Sequence, residues 1–243
     1  MFRFLVPTWN CEPWIVSCLV SLCTQDRDDW TCCVVDDAST DQTGKLCDQV
    51  AAADSRIEVI HRSKRCGALA NLQLAAVAQM PADEDVLVTV DGDDRLLHRK
   101  VLTRLAEEYT TGAQITYGDF VGSAGEGSWV ETYPKDVRDA RTYRIWRWQA
   151  THLRTFTYRL FRSIRRQDLL DTETGRPWEM AWDCALMLPM LEMCRADQVR
   201  CIKDKLYWYN FGNPQSDHRK NAGLQKRSAD TIMAMPKYEM LPW

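Results

Sequence analysis

Thr31-Cys32-Cys33-Val34-Val35-Asp36-Asp37-Ala38-Ser39-Thr40-Asp41 passes from an apolar run straight into acidic and hydroxyl residues. Val86-Leu87-Val88-Thr89-Val90-Asp91-Gly92-Asp93-Asp94 repeats the event about 55 residues later. Each run is short, β-branched and bounded by turn residues, so each reads as a buried strand that ends in carboxylates. In an α/β protein, ligands and metals gather beyond the carboxyl ends of the strands.

Outward from these runs the first half alternates. Strands are expected at Phe2–Pro7, Thr31–Asp36, Ile57–His61, Val86–Asp91 and Gln114–Asp119, and helices at Trp14–Thr24, Asp41–Ala53, Ala68–Gln79 and Lys100–Tyr109. Trp14, Cys18, Leu19 and Leu22 recur at helical spacing behind Pro13, a favoured first-turn residue. The alternation predicts an α/β fold, a mostly parallel sheet with helices on both faces. Beyond residue 120 the pattern loosens. Gly122 to Ser128 reads as a hairpin or loop, Asp183–Cys194 as a helix with Pro189 inside it, and Val199–Ile202 and Leu206–Asn210 as short strands. The polar segment from Gly212 onward reads as a flexible tail ending in a Met-rich stretch.

With 243 residues, 45% of them apolar, the chain can bury one large core, or a core with an appended lobe. No apolar stretch reaches membrane-spanning length. Met1 to Pro7 reads as a strand rather than a signal peptide. Ten cysteines form no C-x-x-C pair and sit singly on apolar faces, as reduced thiols do. A cytoplasmic protein is therefore expected, in a host's cytoplasm if the source is a virus or phage.

Three carboxylates within four residues at Asp91, Asp93 and Asp94 repel one another unless solvent or a cation screens them. Mg²⁺ or Mn²⁺ is the natural partner, commonly shared between carboxylates and the phosphates of a substrate. A solvated Asp-Gly turn is the alternative. A second charge feature lies at 138–166, where nine arginines and one acid, Asp139, are interleaved with Tyr143, Trp146, Trp148, Phe156, Tyr158 and Phe161. Guanidinium forks suit phosphates and stack on bases, whereas a plain charge run is a solvated face.

Four motifs in order resemble glycosyltransferase family 2 and its GT-A fold: Val6-Pro7-Thr8-Trp9-Asn10, Val35-Asp36-Asp37-Ala38-Ser39-Thr40-Asp41, Gly67-Ala68-Leu69-Ala70-Asn71, and Asp91-Gly92-Asp93-Asp94. The resemblance covers roughly residues 1 to 120 and is looser after that, through Trp182-Asp183. It implies a nucleotide-sugar-binding half at 1–120 and a smaller acceptor-binding lobe at 121–243. Pro7, Thr8, Asn10, Asp37, Gly67, Asn71, Asp91 and Gly92 would then hold the donor, a UDP-sugar by preference, with Asp37 accepting from a uracil-type imide. Asp91 and Asp93 would hold Mn²⁺ or Mg²⁺, with Asp94 able to replace either and His218 a further ligand from the C-terminal segment. Trp9, and the short spacing from Gly67 to Asn71, depart from the family's usual pattern.

Breaking a sugar–diphosphate bond also needs a base for the acceptor hydroxyl. Asp183 is the candidate, with Trp178 and Trp182 expected to desolvate it; an Asp at a helix start is equally a standard N-cap. His152, Arg154 and Trp182 are the candidate acceptor contacts. The predicted activity is an inverting sugar transfer to a hydroxyl. A hydroxymethylated base in DNA, gripped by the 138–166 arginines, is the first acceptor, and a polysaccharide or hydroxylated protein side chain the alternative. A receiver domain places its aspartates after the first strand, a haloacid-dehalogenase phosphatase needs D-x-D-x-T, and a nucleotidyltransferase needs an early Gly-rich loop with Arg; none of these matches. A non-catalytic nucleotide-binding module of the same fold is the other class.

Overall fold

The early apolar runs are hydrophobic on both faces, which only a sheet covered on both sides can accommodate. In a computed structural model describing residues 1–125, 129–214 and 221–243, β1 (Phe2–Thr8), β2 (Trp30–Asp36), β3 (Ile57–His61) and β4 (Val86–Thr89) pair in parallel. Helices α1 (Ile15–Cys23), α2 (Thr43–Ala53) and α3 (Ala68–Ala78) connect them. Then come β5 (Arg95–Leu96), α4 (Val101–Thr110), β6 (Ile115–Gly122), α5 (Lys135–Ala140), β7 (Arg154–Thr157) and α6 (Tyr158–Arg162). The chain finishes with α7 (Trp182–Met193), β8 (Val199–Tyr209) and α8 (Ala222–Met233). The eight strands form one sheet in the order β3-β2-β1-β4-β7-β6-β8-β5. Only β7 and β5 run antiparallel to their neighbours.

Side-chain alternation along β1 shows how the sheet is covered. Phe4 and Val6 pack with Ile15, Leu19 and Leu102 of α1 and α4. Leu5 points the other way, into a second core with Leu69 and Leu72 of α3 and Leu186 of α7. Because these layers are continuous across residue 120, residues 1–120 and 121–243 share one sheet.

The sequence hides β7 because its hydroxyls stand where a buried strand ordinarily carries apolar residues. Thr155 pairs its Oγ1 with that of Thr116 at 2.6 Å and with the Tyr109 hydroxyl at 2.7 Å, and Thr157 donates to Gln114 at 3.1 Å, so a polar strand is satisfied at the sheet's centre. The two strands expected at 199–210 are a single one, β8, whose register with β6 slips between Gly118 and Phe120.

Residues 221–243 correct the expectation of a flexible tail. All of α7 from Cys184 to Met193 is buried, and a helix that is apolar all round must be covered on every side. The C-terminal segment supplies that cover: Ile232 and Tyr238 are buried, and Met235, Leu241 and Trp243 pack on the same core. A polar lock secures it. Glu192, 1% exposed, receives Arg144 on both oxygens at 2.8 and 3.0 Å and the Tyr238 N–H at 3.0 Å. Removing one partner of a buried pair strands the other. Arg144→Met is expected to lower stability by about 3 kcal/mol, read as an earlier urea midpoint; an unchanged midpoint would refute the lock.

Candidate active site

The carboxyl ends of β1, β2 and β4 open onto a cleft of about 860 Å³. At its floor the first and fourth strands meet in a very close approach. Gly92 donates its N–H to the Pro7 carbonyl at 3.1 Å. A Cβ at Gly92 would lie 2.4 Å from Thr8 Oγ1 and 2.6 Å from Thr8 Cβ. Glycine is required there for space, and Pro7, Thr8 and Gly92 act as one seam between β1 and the acidic turn.

Asp37 lines the cleft but is 2% exposed, and its two oxygens accept the Cys66 and Gly67 N–H groups at 2.7 and 2.8 Å. It therefore ties the loop before α3 to β2, with Gly67 at φ +86 ending that loop. Asn71 is likewise buried, and its oxygen accepts Arg62 Nε at 3.2 Å. Arg62, Lys64, Arg65 and Arg176 line the cleft, and Arg65 lies 3.4 Å over the Trp9 ring. This basic wall was missed from the sequence, although the run Arg62-Ser63-Lys64-Arg65 directly after β3 carried the signal. Asn10 lies off the cleft. Its oxygen accepts the Thr40 N–H at 2.8 Å and its N–H reaches Ser39 at 2.9 Å, so it braces the loops after β1 and β2.

The acidic turn places its three carboxylates in different surroundings. Asp93 accepts from Asn213 Nδ2 at 2.7 Å. Asp94, 2% exposed, receives the Asn210 N–H on Oδ1 at 2.7 Å, while its Oδ2 is buried with no partner in hydrogen-bond geometry among the described residues; the Tyr207 hydroxyl beside the carboxyl accepts the Asp91 N–H at 3.1 Å. Burial, reinforced by the Asp93 and Asp91 charges, pushes the Asp94 carboxyl well above the usual range. His152 stacks on Tyr207 with ring centroids 4.8 Å apart, and burial, then the Arg154 charge, holds its imidazole well below the usual range. Asp91, Asp94 and His152 bring ligand atoms within 4.8 Å of one another. Two carboxylates, one of them with an orphaned buried oxygen, and a neutral imidazole fit a divalent ion that accepts nitrogen.

Asp183 stands in the first turn of α7, while Ala181 holds the N-cap position, so the capping alternative does not apply. Its surroundings also differ from the two-tryptophan pocket expected. Its Oδ2 accepts Arg154 Nη2 at 2.9 Å and its Oδ1 the Cys184 N–H at 3.0 Å, while Trp178 turns its indole N–H to the Asp168 carbonyl. Trp182, His152, Arg154 and Tyr209 line the same cleft. His218 lies outside the described residues.

The arginine-rich stretch is bound to the protein itself. Arg138 and Arg141 donate to backbone carbonyls. Arg144 holds Glu192, and Arg147, Arg162 and Arg165 pair with Glu131, Asp83 and Asp168. Arg159 donates to the Pro242 carbonyl. Most of the basic stripe read from sequence thus has partners within the chain, buried for Arg144 and Arg154 and at the surface for Arg147, Arg162 and Arg165.

A basic wall, an acidic turn and a carboxylate at the start of α7 thus share one strand-end cleft. The Glycosyl transferase family 2 model matches residues 4–171, and the chain belongs to that family. It is 31% identical over 143 residues to the uncharacterized glycosyltransferase EpsJ of Bacillus subtilis (strain 168), covering 59% of this chain and 37% of that relative. TarS of S. aureus in complex with UDP-GlcNAc superposes with TM-score 0.63 at 18% identity, over 96% of this chain and 70% of that one. The mannosyltransferase PcManGT of Pyrobaculum calidifontis, in complex with GDP-Man and Mn²⁺, gives 0.59 at 20% identity, over 97% and 65%. The fold is thus GT-A, and the chain spans less than two fifths of the length of EpsJ. Among the described residues no helix is long and apolar enough to cross a membrane.

Proposed function

We propose that the chain transfers a sugar from a UDP-sugar to a carbohydrate hydroxyl, with inversion, assisted by a divalent cation. The observation that carries this reading is that Asp183 and the Asp91–Asp94 turn share one cleft with a basic wall. Residues 1–120 form the donor half and 121–243 supply the acceptor half. Thr8, Asp37 and the loop tied by Asp37 receive the nucleoside, and Arg62, Lys64 and Arg65 face its phosphates. Asp91 and Asp94, with His152, would hold Mn²⁺ or Mg²⁺, with Asp93 at their edge. When bound, such an ion neutralises charge building on the leaving diphosphate.

Asp183 takes the proton from the acceptor O–H as that oxygen attacks the anomeric carbon. The bond from that carbon to the diphosphate oxygen breaks, and its electron pair leaves on the diphosphate. Trp182 and Tyr209, both partly exposed in the cleft, offer ring faces to an acceptor sugar. DNA loses part of its motive, because most of the arginines expected to grip phosphates already have partners within the chain. All ten cysteines are free, which fits a reducing compartment such as the cytoplasm.

The test is mass spectrometry of products from UDP-sugars and Mn²⁺ with three acceptors: mixed oligosaccharides, hydroxymethylcytosine DNA, and water alone. Sugar added to the oligosaccharides supports the reading. Sugar added to the DNA nucleoside would reverse the acceptor class, and no UDP release from any donor would remove the activity. Asp91→Asn is expected to reduce UDP release at least about 100-fold; activity that persists in EDTA would remove the cation.

A further inference from the structure

We propose that Arg154 is the positioning residue of the transfer reaction, acting on the acceptor only through Asp183, whose carboxylate it fixes in the cleft. This rests on the reading of Asp183 as the base. Strand register places the residue. In the antiparallel pair of β4 and β7, Arg154 stands opposite Thr89, two residues short of Asp91, and His152, just before β7, lies between it and the acidic turn, with Nδ1 3.5 Å from Arg154 Nη1 and a ring nitrogen within 4.8 Å of Asp91 and Asp94 oxygens.

The Arg154 side chain is 5% exposed, so its charge is out of water. Nε donates to the Ala150 carbonyl at 2.9 Å, Nη2 to Asp183 at 2.9 Å, and Nη1 lies 3.5 Å from His152 Nδ1. The guanidinium also sits 5.6 Å from the Trp182 ring centroid. The sequence marks Arg154 as an acceptor contact, yet all three of its nitrogens already have a partner within the protein, and the strongest charged one is Asp183. Stability alone is a weak reason to bury a charged pair, since apolar side chains of similar volume do as well or better. What the pair provides is direction. Arg154 holds Oδ2 while the first turn of α7 holds Oδ1, so the carboxylate cannot swing, and each oxygen keeps a lone pair for an incoming hydroxyl. A base fixed in this way needs little reorganisation when the acceptor arrives.

The experiment measures UDP release from UDP-glucose, UDP-GlcNAc and GDP-mannose (as GDP) with Mn²⁺ and water as acceptor, using whichever donor the wild type cleaves. Alongside it, calorimetry gives UDP affinity, and thermal unfolding monitors the fold. Arg154→Lys, Arg154→Met, Asp183→Asn and the Arg154→Met/Asp183→Asn double variant are compared. Both Arg154 variants are expected to lose at least about 10-fold in turnover with UDP affinity within about 2-fold of wild type, and the double variant to be no slower than Asp183→Asn. Losses that multiply in the double variant, or UDP affinity that falls with turnover, would overturn the proposal. If Arg154→Met does not fold, Arg154→Lys decides alone, and its normal turnover would be fatal. Normal turnover of Asp183→Asn would instead remove the base on which the proposal rests. Cleavage of none of the donors by the wild type would remove the transferase reading with it.

Discussion

Replacing Asp183 by asparagine is expected to cut turnover by about 10²- to 10⁴-fold, the usual worth of a positioned general base, while UDP affinity stays near the wild-type value. The substitution is nearly isosteric, and the amide oxygen can still accept from Arg154, which otherwise meets Asp183 at 2.9 Å. The fold should therefore survive. What disappears is the proton acceptor. A base acts on the acceptor, so the loss belongs in kcat and not in donor binding. UDP calorimetry beside steady-state kinetics checks this; a parallel fall in affinity would place Asp183 in the donor site, and unchanged turnover would move the base to Asp119 or Glu179. Of these, Glu179 lines the same cleft, and Asp119 is paired with Lys205 at 2.9 Å.

How much of this was legible depended on where each element gets its stability. The parallel half was readable because β1, β2 and β4 are buried on both faces, which writes itself into the sequence as continuous apolar runs. The acidic turn was readable because strand ends carry ligands in this architecture. By contrast, β7 was invisible, since Thr155 and Thr157 are satisfied by cross-strand hydroxyl contacts that no local pattern records. The partners of the arginines of 138–166 were hidden for the same reason: Glu192, Asp83 and Asp168 are brought to them by tertiary packing. Asp94 and Asp93 could not be told apart either. Which one turns inward is decided by Asn210 and Asn213, more than a hundred residues away in sequence.

Gly92→Ala is expected to disable the cleft through a single added carbon. The new Cβ would meet Thr8 Oγ1 at 2.4 Å and Thr8 Cβ at 2.6 Å, with the Pro7 carbonyl at 3.3 Å. None of these atoms is the far end of a flexible chain, and Thr8 is 4% exposed, so the acidic turn must move away from β1. Overpacking of this kind costs about 1–3 kcal/mol of stability. The larger consequence is for binding, because Asp91 and Asp93 flank Gly92 and a shift of about 1 Å is enough to spoil a preorganised site. UDP affinity measured with Mn²⁺ should fall by at least about 10-fold, together with a lower unfolding temperature. The control is Thr8→Gly combined with Gly92→Ala, which removes both clashing Thr8 atoms. If the clash is the cause, the second substitution restores part of the stability lost to the first, a coupling that independent sites do not show. Additive losses in that cycle would mean that glycine is needed at 92 for a reason other than the approach of Thr8.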